Sequence, residues 1–165
     1  MPFLGAIFIV AAIGLEMENP SIFQPPHWCI REFHAPAELG HEEIKDIVLA
    51  KDGSAWFATM GGGVTQIKDG MSVFYTKSGG LSSNNTDCLL EDSFGGIWVG
   101  TREGVSYIYQ GTVSSFSLKN GCGIQDDLID TIAMNSLGEV WFGTGNLNLF
   151  YFIPEQIVDR RPVGV

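Results

Sequence analysis

From residue 28 onward the chain is built of short apolar runs separated by glycine-bearing turns. Ile47-Val-Leu-Ala50 is followed by Trp56-Phe-Ala-Thr59, by Val64-Thr-Gln-Ile67 and by Met71-Ser-Val-Phe-Tyr-Thr76. Such runs, rich in β-branched and aromatic residues and bounded by Gly, Asn and Asp, predict strands. Lys68-Asp69-Gly70 and Gln110-Gly111 fall between two runs each. Asp-Gly in that place is a strong hairpin signal, because both central residues tolerate positive φ. Outside the N-terminus no window of helical length carries an apolar stripe at a 3.6-residue period. The pattern predicts an all-β, antiparallel chain.

The runs repeat. Gly53-Ser-Ala-Trp56-Phe-Ala-Thr59, Gly95-Gly-Ile-Trp98-Val-Gly-Thr101 and Gly138-Glu-Val-Trp141-Phe-Gly-Thr144 place Gly, Trp and Thr at a constant spacing, with tryptophans 42 and 43 residues apart. Upstream of each lies an apolar segment: Ile47–Ala50, Cys88-Leu-Leu90 and Ile132-Ala-Met134. Downstream lies a glycine-containing turn and a second run, ending with Val64–Ile67, Val105–Tyr109 and Leu147–Phe152. A four-stranded unit of roughly 40 to 45 residues is the size of a β-propeller blade. The expected fold is therefore a partial β-propeller of about three four-stranded antiparallel blades, an incomplete ring. The blades are expected at about 46–76, 87–118 and 130–153, within a propeller region spanning 28–153. Trp56, Trp98 and Trp141 fall on the second strand of each blade, and with Thr59, Thr101 and Thr144 they are expected to anchor blade packing rather than to bind a ligand.

The ends break the pattern. Residues 1–15 are almost wholly apolar, too short at 1.5 Å per residue to cross a hydrocarbon core of ~30 Å as a helix. Their length and the small residues of Ala12-Ile-Gly14 suit a signal-type segment, although no Lys or Arg precedes it. Residues 16–27, with Pro20, Pro25 and Pro26, read as a linker. Trp28–Phe33 reads as an outermost strand without a blade of its own, while the third repeat lacks an obvious fourth strand. Residues 154–165 read as a divergent or truncated tail. Three blades are fewer than the four to eight that usually close a ring. The expected partners are therefore the remaining blades in a longer chain or another copy of this one.

Composition narrows the partners. Nine basic against 19 acidic residues give a net charge of −10, which repels phosphate backbones and disfavours nucleic acid. An apolar content of 45% supports a core, and 21 glycines suit many turns. The three cysteines, Cys29, Cys88 and Cys122, show no metal spacing, and His27, His34 and His41 recur at an interval no standard metal motif uses. No cofactor or metal is expected.

Gly80-Leu-Ser-Ser-Asn-Asn-Thr-Asp-Cys-Leu-Leu-Glu-Asp92, followed by Gly95–Thr101, closely resembles the two-component regulator propeller repeat. That repeat runs as a Gly-Leu-Ser loop, an apolar strand ending in Glu-Asp or Gln-Asp, and Gly-x-Leu-Trp-Ile-Gly-Thr. The first repeat has Ala58 in place of the motif's second glycine, and the third has Gly123-Ile124 where Gly-Leu would stand. The resemblance covers about residues 28–152. It implies a non-catalytic ligand-sensing module, the N-terminal fragment of a periplasmic or extracellular sensor region. In such receptors the propeller signals to a histidine kinase, which this chain does not contain, and many respond to carbohydrates.

In such blades the second-to-third-strand turns and the interblade loops emerge at one end, where binding groups concentrate. Asn84, Asn85, Arg102, Asp126, Asp127 and Asn146 are the candidate ligand-binding residues on that face. A sugar site would need planar amides and carboxylates together with an aromatic platform, and these loops show no evident exposed aromatic. Ordinary turn chemistry, in which Asn and Asp bond their own backbone, is the simpler account of each polar residue. Two other readings stand beside the sensor: a propeller lyase, and a structural or interaction module. The sequence offers no catalytic residues, since no His or Tyr base converges with a cation.

Overall fold

A computed structural model describes residues 7–11, 29–33, 37–117, 128–145 and 148–152. Among the described residues thirteen strands form four antiparallel sheets. β1 (Ile7–Ala11) pairs with β2 (Cys29–Phe33), Ile7 opposite Phe33 and Ala11 opposite Cys29. The first blade is the meander β3 (Ile44–Leu49), β4 (Ala55–Thr59), β5 (Gly63–Lys68) and β6 (Met71–Tyr75). The second is β7 (Thr86–Glu91), β8 (Ile97–Thr101), β9 (Gly104–Tyr109) and β10 (Thr112–Phe116). The third, among the described residues, is β11 (Ile129–Met134), β12 (Val140–Thr144) and β13 (Leu149–Phe152). The fold is a partial β-propeller.

Two features differ from the sequence expectation, each for a local reason. The strand ending at Phe33 does not stand alone: the apolar N-terminal segment supplies β1 as its partner. Ile-Phe-Ile-Val-Ala is a run of β-branched and aromatic residues, and an unpaired edge strand offers a ready template for it. Each blade also starts two or three residues before its apolar run. The pairing register slips between Ile44 and Asp46, between Thr86 and Cys88, and between Ile129 and Thr131. Lys45, Asp87 and Asp130 are the extra residues of three equivalent β-bulges, which bend the strand and increase its twist.

Hairpin chemistry is as the dipeptides require. Asp69 and Gly70 lie at φ 51° and 78°, and Gln110 and Gly111 at 49° and 78°, so both turns carry positive φ at both central residues. A 3-10 turn, Lys77–Gly79, leads out of the first blade and ends on Gly80 at φ 111°.

The blades stack face to face, with the first strand of each innermost: β7 packs between β3 and β11. Side chains alternate along each strand, so every blade offers one apolar set to each neighbour. Trp56, Ala58 and Val64 of the first blade meet Leu89, Ile97, Val99 and Ile108 of the second. On the other side of the second blade, Trp98 and Val105 meet Ile129, Val140 and Phe142 of the third. Leu81, from the Gly-Leu-Ser loop, joins the first interface, and Leu39 packs with Phe33, Phe57 and Ile67 on the outer face of the first blade. Trp98 is 1% exposed and contacts four aromatic rings. Among the described residues the matching face of the third blade is uncovered: Trp141 stacks on Tyr151 at 4.7 Å, yet Tyr151 is 50% exposed.

Candidate functional site

The loop face begins with Asn84. Its carbonyl accepts the N–H groups of Gly61 at 3.0 Å and Gly63 at 2.9 Å, and its side-chain Oδ1 accepts the Lys77 N–H at 2.6 Å. Asn84 thus ties the turn of one blade to the loop that opens the next. Asn85 is half-buried; its carbonyl accepts the Arg102 N–H at 3.2 Å, and its own N–H donates to Ser83 Oγ at 3.2 Å. Arg102 is exposed and reaches back to the bulge residue Asp87, Nε to Oδ2 at 3.4 Å. Beside it Lys77 Nζ pairs with Glu103 Oε2 at 2.7 Å. The structure brings Asn84, Asn85 and Arg102 together around one loop. Asp126, Asp127 and Asn146 lie outside the described residues.

The motif threonines and tryptophans are held by their own turns. Thr59 Oγ1 donates to the Gly63 carbonyl and Thr101 Oγ1 to the Gly104 carbonyl, both at 2.8 Å, closing the turn after the second strand. Thr144 Oγ1 instead accepts the Asn148 N–H at 3.1 Å. The indole N–H of Trp98 donates to Asp92 Oδ2 at 3.2 Å, and Tyr107 donates its hydroxyl to the same oxygen at 2.9 Å. The other carboxylate oxygen accepts the N–H groups of Phe94 and Gly96. Burial first, and then Asp92, hold the Tyr107 phenol well above its ordinary pKa. In the first blade the indole N–H of Trp56 goes to Ser54 Oγ at 2.8 Å, and Asp52 Oδ1 in turn accepts from that hydroxyl at 2.6 Å.

At the opposite end of the first two blades is a cleft of about 290 Å³, between the turns after their first and third strands. Trp56, Gln66 and Tyr75 line it from the first blade, and Glu91, Phe94 and Ile108 from the second. Trp56 and Tyr75 stack at 5.4 Å, and the Tyr75 hydroxyl donates to Gln66 Oε1 at 3.2 Å. Burial raises the Tyr75 pKa. Asp52 stands at the mouth, paired with Lys68 Nζ at 2.7 Å. These residues escaped the sequence reading because they come from distant elements that only blade packing unites. The one local signal is Phe94, a large apolar residue at a turn tip that is 65% exposed.

Among the described residues no group of three or more His, Cys, Asp or Glu side chains is placed to hold a metal ion. Nor, among them, is any helix long and apolar enough to cross a membrane.

Residues 80–103 match the two component regulator propeller family. No curated protein matches the chain. Among solved structures, the chain is similar to the extracellular domain assigned to the hybrid two component system BT3049 from B. thetaiotaomicron. That similarity has a TM-score of 0.61 and 21% identity, over 76% of this chain and 18% of that one. It is similar in the same way to the extracellular domain assigned to the one component system BT4673 from B. thetaiotaomicron. There the TM-score is 0.61 and the identity 21%, over 92% of this chain and 23% of that one. A third similarity is to virginiamycin B lyase from Staphylococcus aureus, with a TM-score of 0.51 and 17% identity, over 70% of this chain and 43% of that one. The chain therefore spans about a fifth of the two receptor domains and less than half of the lyase.

Proposed function

We propose that this chain is a non-catalytic, saccharide-responsive segment of an extracytoplasmic sensor propeller in a two-component signalling receptor. The observation that carries the reading is the match of residues 80–103 to the two component regulator propeller repeat. Two further observations support it: the similarity to extracellular receptor domains, and the polar groups of the loop face. Asn84 and Arg102 are engaged by their own loops and by Asp87, which suits a scaffold better than a base-and-cation pair poised for catalysis. The open face around Trp141 and Tyr151 is covered, in this reading, by a further blade of the same repeat. A blade covers the corresponding face of the first blade and of the second.

The lyase similarity supports a competing reading, since one fold hosts many functions. Titrating the protein by calorimetry with glucose, galactose, N-acetylglucosamine, cellobiose and lactose, and chromatographing the mixtures for product, separates the two. Saturable binding with the saccharide recovered intact is the expected result. Product from any saccharide, or turnover of virginiamycin B, would overturn the reading.

A further inference from the structure

We infer that the saccharide site is the cleft between the first two blades, at the end opposite the Asn84–Arg102 loops. The inference rests on the sensor reading and gives it a location. A neutral polyol is recognised by an apolar platform for its C–H face together with amides and carboxylates for its hydroxyls. The cleft unites those parts.

Trp56 and Tyr75 form one stacked aromatic wall, and Phe94 rises from the facing turn. Gln66 lies on the strand between the two aromatic residues. Its Oε1 is taken by the Tyr75 hydroxyl, while its Nε2 amino group has no protein partner among the described residues, leaving two N–H donors for a ligand oxygen. Both oxygens of Glu91 accept the Lys51 backbone N–H at 3.1 Å, and each keeps a further lone pair for a ligand hydroxyl. The bond to Lys51 also fixes the carboxylate, so little side-chain freedom remains to be lost on binding. At Gly95 and Gly111 a side chain would meet nothing within 4 Å, so the floor of the mouth is backbone open to solvent. The volume, about 290 Å³, lies at the lower end of small-molecule sites and suits a mono- or disaccharide. The two blades already enclose this space between them, so it needs no additional blade.

The test uses the whole 165-residue chain. Each saccharide of the panel is titrated by calorimetry, and amide spectra are recorded for the one that binds. The shifts expected to move are the Gln66 side-chain NH2 and the backbone N–H groups of Gly95 and Gly111. Gln66→Leu and Phe94→Ala should each weaken binding at least about tenfold, the scale of one lost ligand hydrogen bond or apolar contact. Leu137→Ala, at an exposed turn of the third blade outside the cleft, should leave it unchanged. Thermal unfolding of each variant verifies that the fold persists, and Tyr75→Phe provides a milder probe that frees Gln66 Oε1. Binding lost in Arg102→Ala but kept in Gln66→Leu and Phe94→Ala would overturn the cleft and leave the sensor reading standing. Absence of saturable binding by every saccharide in the panel would overturn both.

Discussion

The Thr86 hydroxyl accepts the backbone N–H of Thr59 at 2.8 Å, joining the last residue of β4 to the first residue of the next blade. Its own hydrogen is shared between the Thr59 and Gly63 carbonyls, both at 3.1 Å. All the groups are buried, so water cannot replace the hydroxyl. Thr86→Val keeps the shape and leaves the Thr59 N–H without a partner, which should cost about 1–3 kcal/mol. Thr86→Ser should recover most of that. Urea unfolding of the three proteins tests the pair, and equal stability of the Val and Ser variants would remove the hydroxyl from the account.

The equivalent place in the next interface is filled differently. Ile129 stands where Thr86 stands, and a side chain at Gly100 would collide with Cys88 Sγ and Ile129. In the first blade Asp46 takes the Cys88 position, and its carboxylate turns to the Leu89 N–H of the next blade at 2.8 Å. Ala58 fits there in place of the motif glycine.

Much of this was legible in the sequence, because glycine, tryptophan and threonine recur in register with strand-length apolar runs. Four things were not. The bulges at Lys45, Asp87 and Asp130 add one residue to a strand without altering its apolar pattern. Ile7–Ala11 is a continuous apolar run, and such a run fits a strand as well as a signal-type core. The cleft joins Trp56, Gln66 and Tyr75 to Glu91 and Phe94, and nothing local in either blade announces the pairing. The loop-face residues Asn84 and Arg102 were visible as polar loop positions, but their hydrogen bonds to Lys77 and Asp87 were not.

Asp92 organises the second blade through four hydrogen bonds, two to turn N–H groups and two to the side chains of Trp98 and Tyr107. Removing the carboxylate strands buried donors, and bonds to a charged group contribute about 1.5–3 kcal/mol each. Asp92→Ala is expected to destabilise by at least about 3 kcal/mol, close to the ~3–5 kcal/mol expected for truncating Trp98 itself. Tyr107→Phe removes one bond and should cost about 1–2 kcal/mol. A double-mutant cycle between Asp92→Ala and Tyr107→Phe checks this: the Phe substitution should lose most of its effect once the carboxylate is gone.

Asp52 ionises early. The hydrogen bond from Lys68, then those from the Ser54 hydroxyl and N–H, lower its pKa from 3.8 to about 2. A carboxylate depressed in the folded state stabilises above the unfolded value and loses that contribution as pH falls through the folded one. The window therefore runs from just above pH 3.8 down to about 2. Because the pair is exposed, salt should weaken it. Following the Asp52 carboxyl by NMR should give a midpoint near 2 in the parent chain. In Lys68→Met the midpoint should rise towards 3.8, and an unchanged midpoint would sink the assignment to Lys68.

Cys88 reports on the second interface. It lies buried between the second and third blades, its Sγ 3.9 Å from the Ile129 carbonyl, and its pKa is pushed up to about 12. Burial is the main cause, with the carboxylates of Asp46 and Asp87 adding to it. Thiolate is the reactive form, so the native thiol should resist a disulfide reagent at pH 8 while an unfolded one reacts freely. Labelling of Cys88, followed by peptide mass analysis, then measures how often the blades part. Ile129→Ala removes a buried side chain from that contact and should cost about 2–5 kcal/mol. If Cys88 reacts only when the interface opens, its labelling rate should rise at least about thirtyfold in that variant. If parent and variant label at the same rate, Cys88 is reached by some route other than separation of β7 from β11.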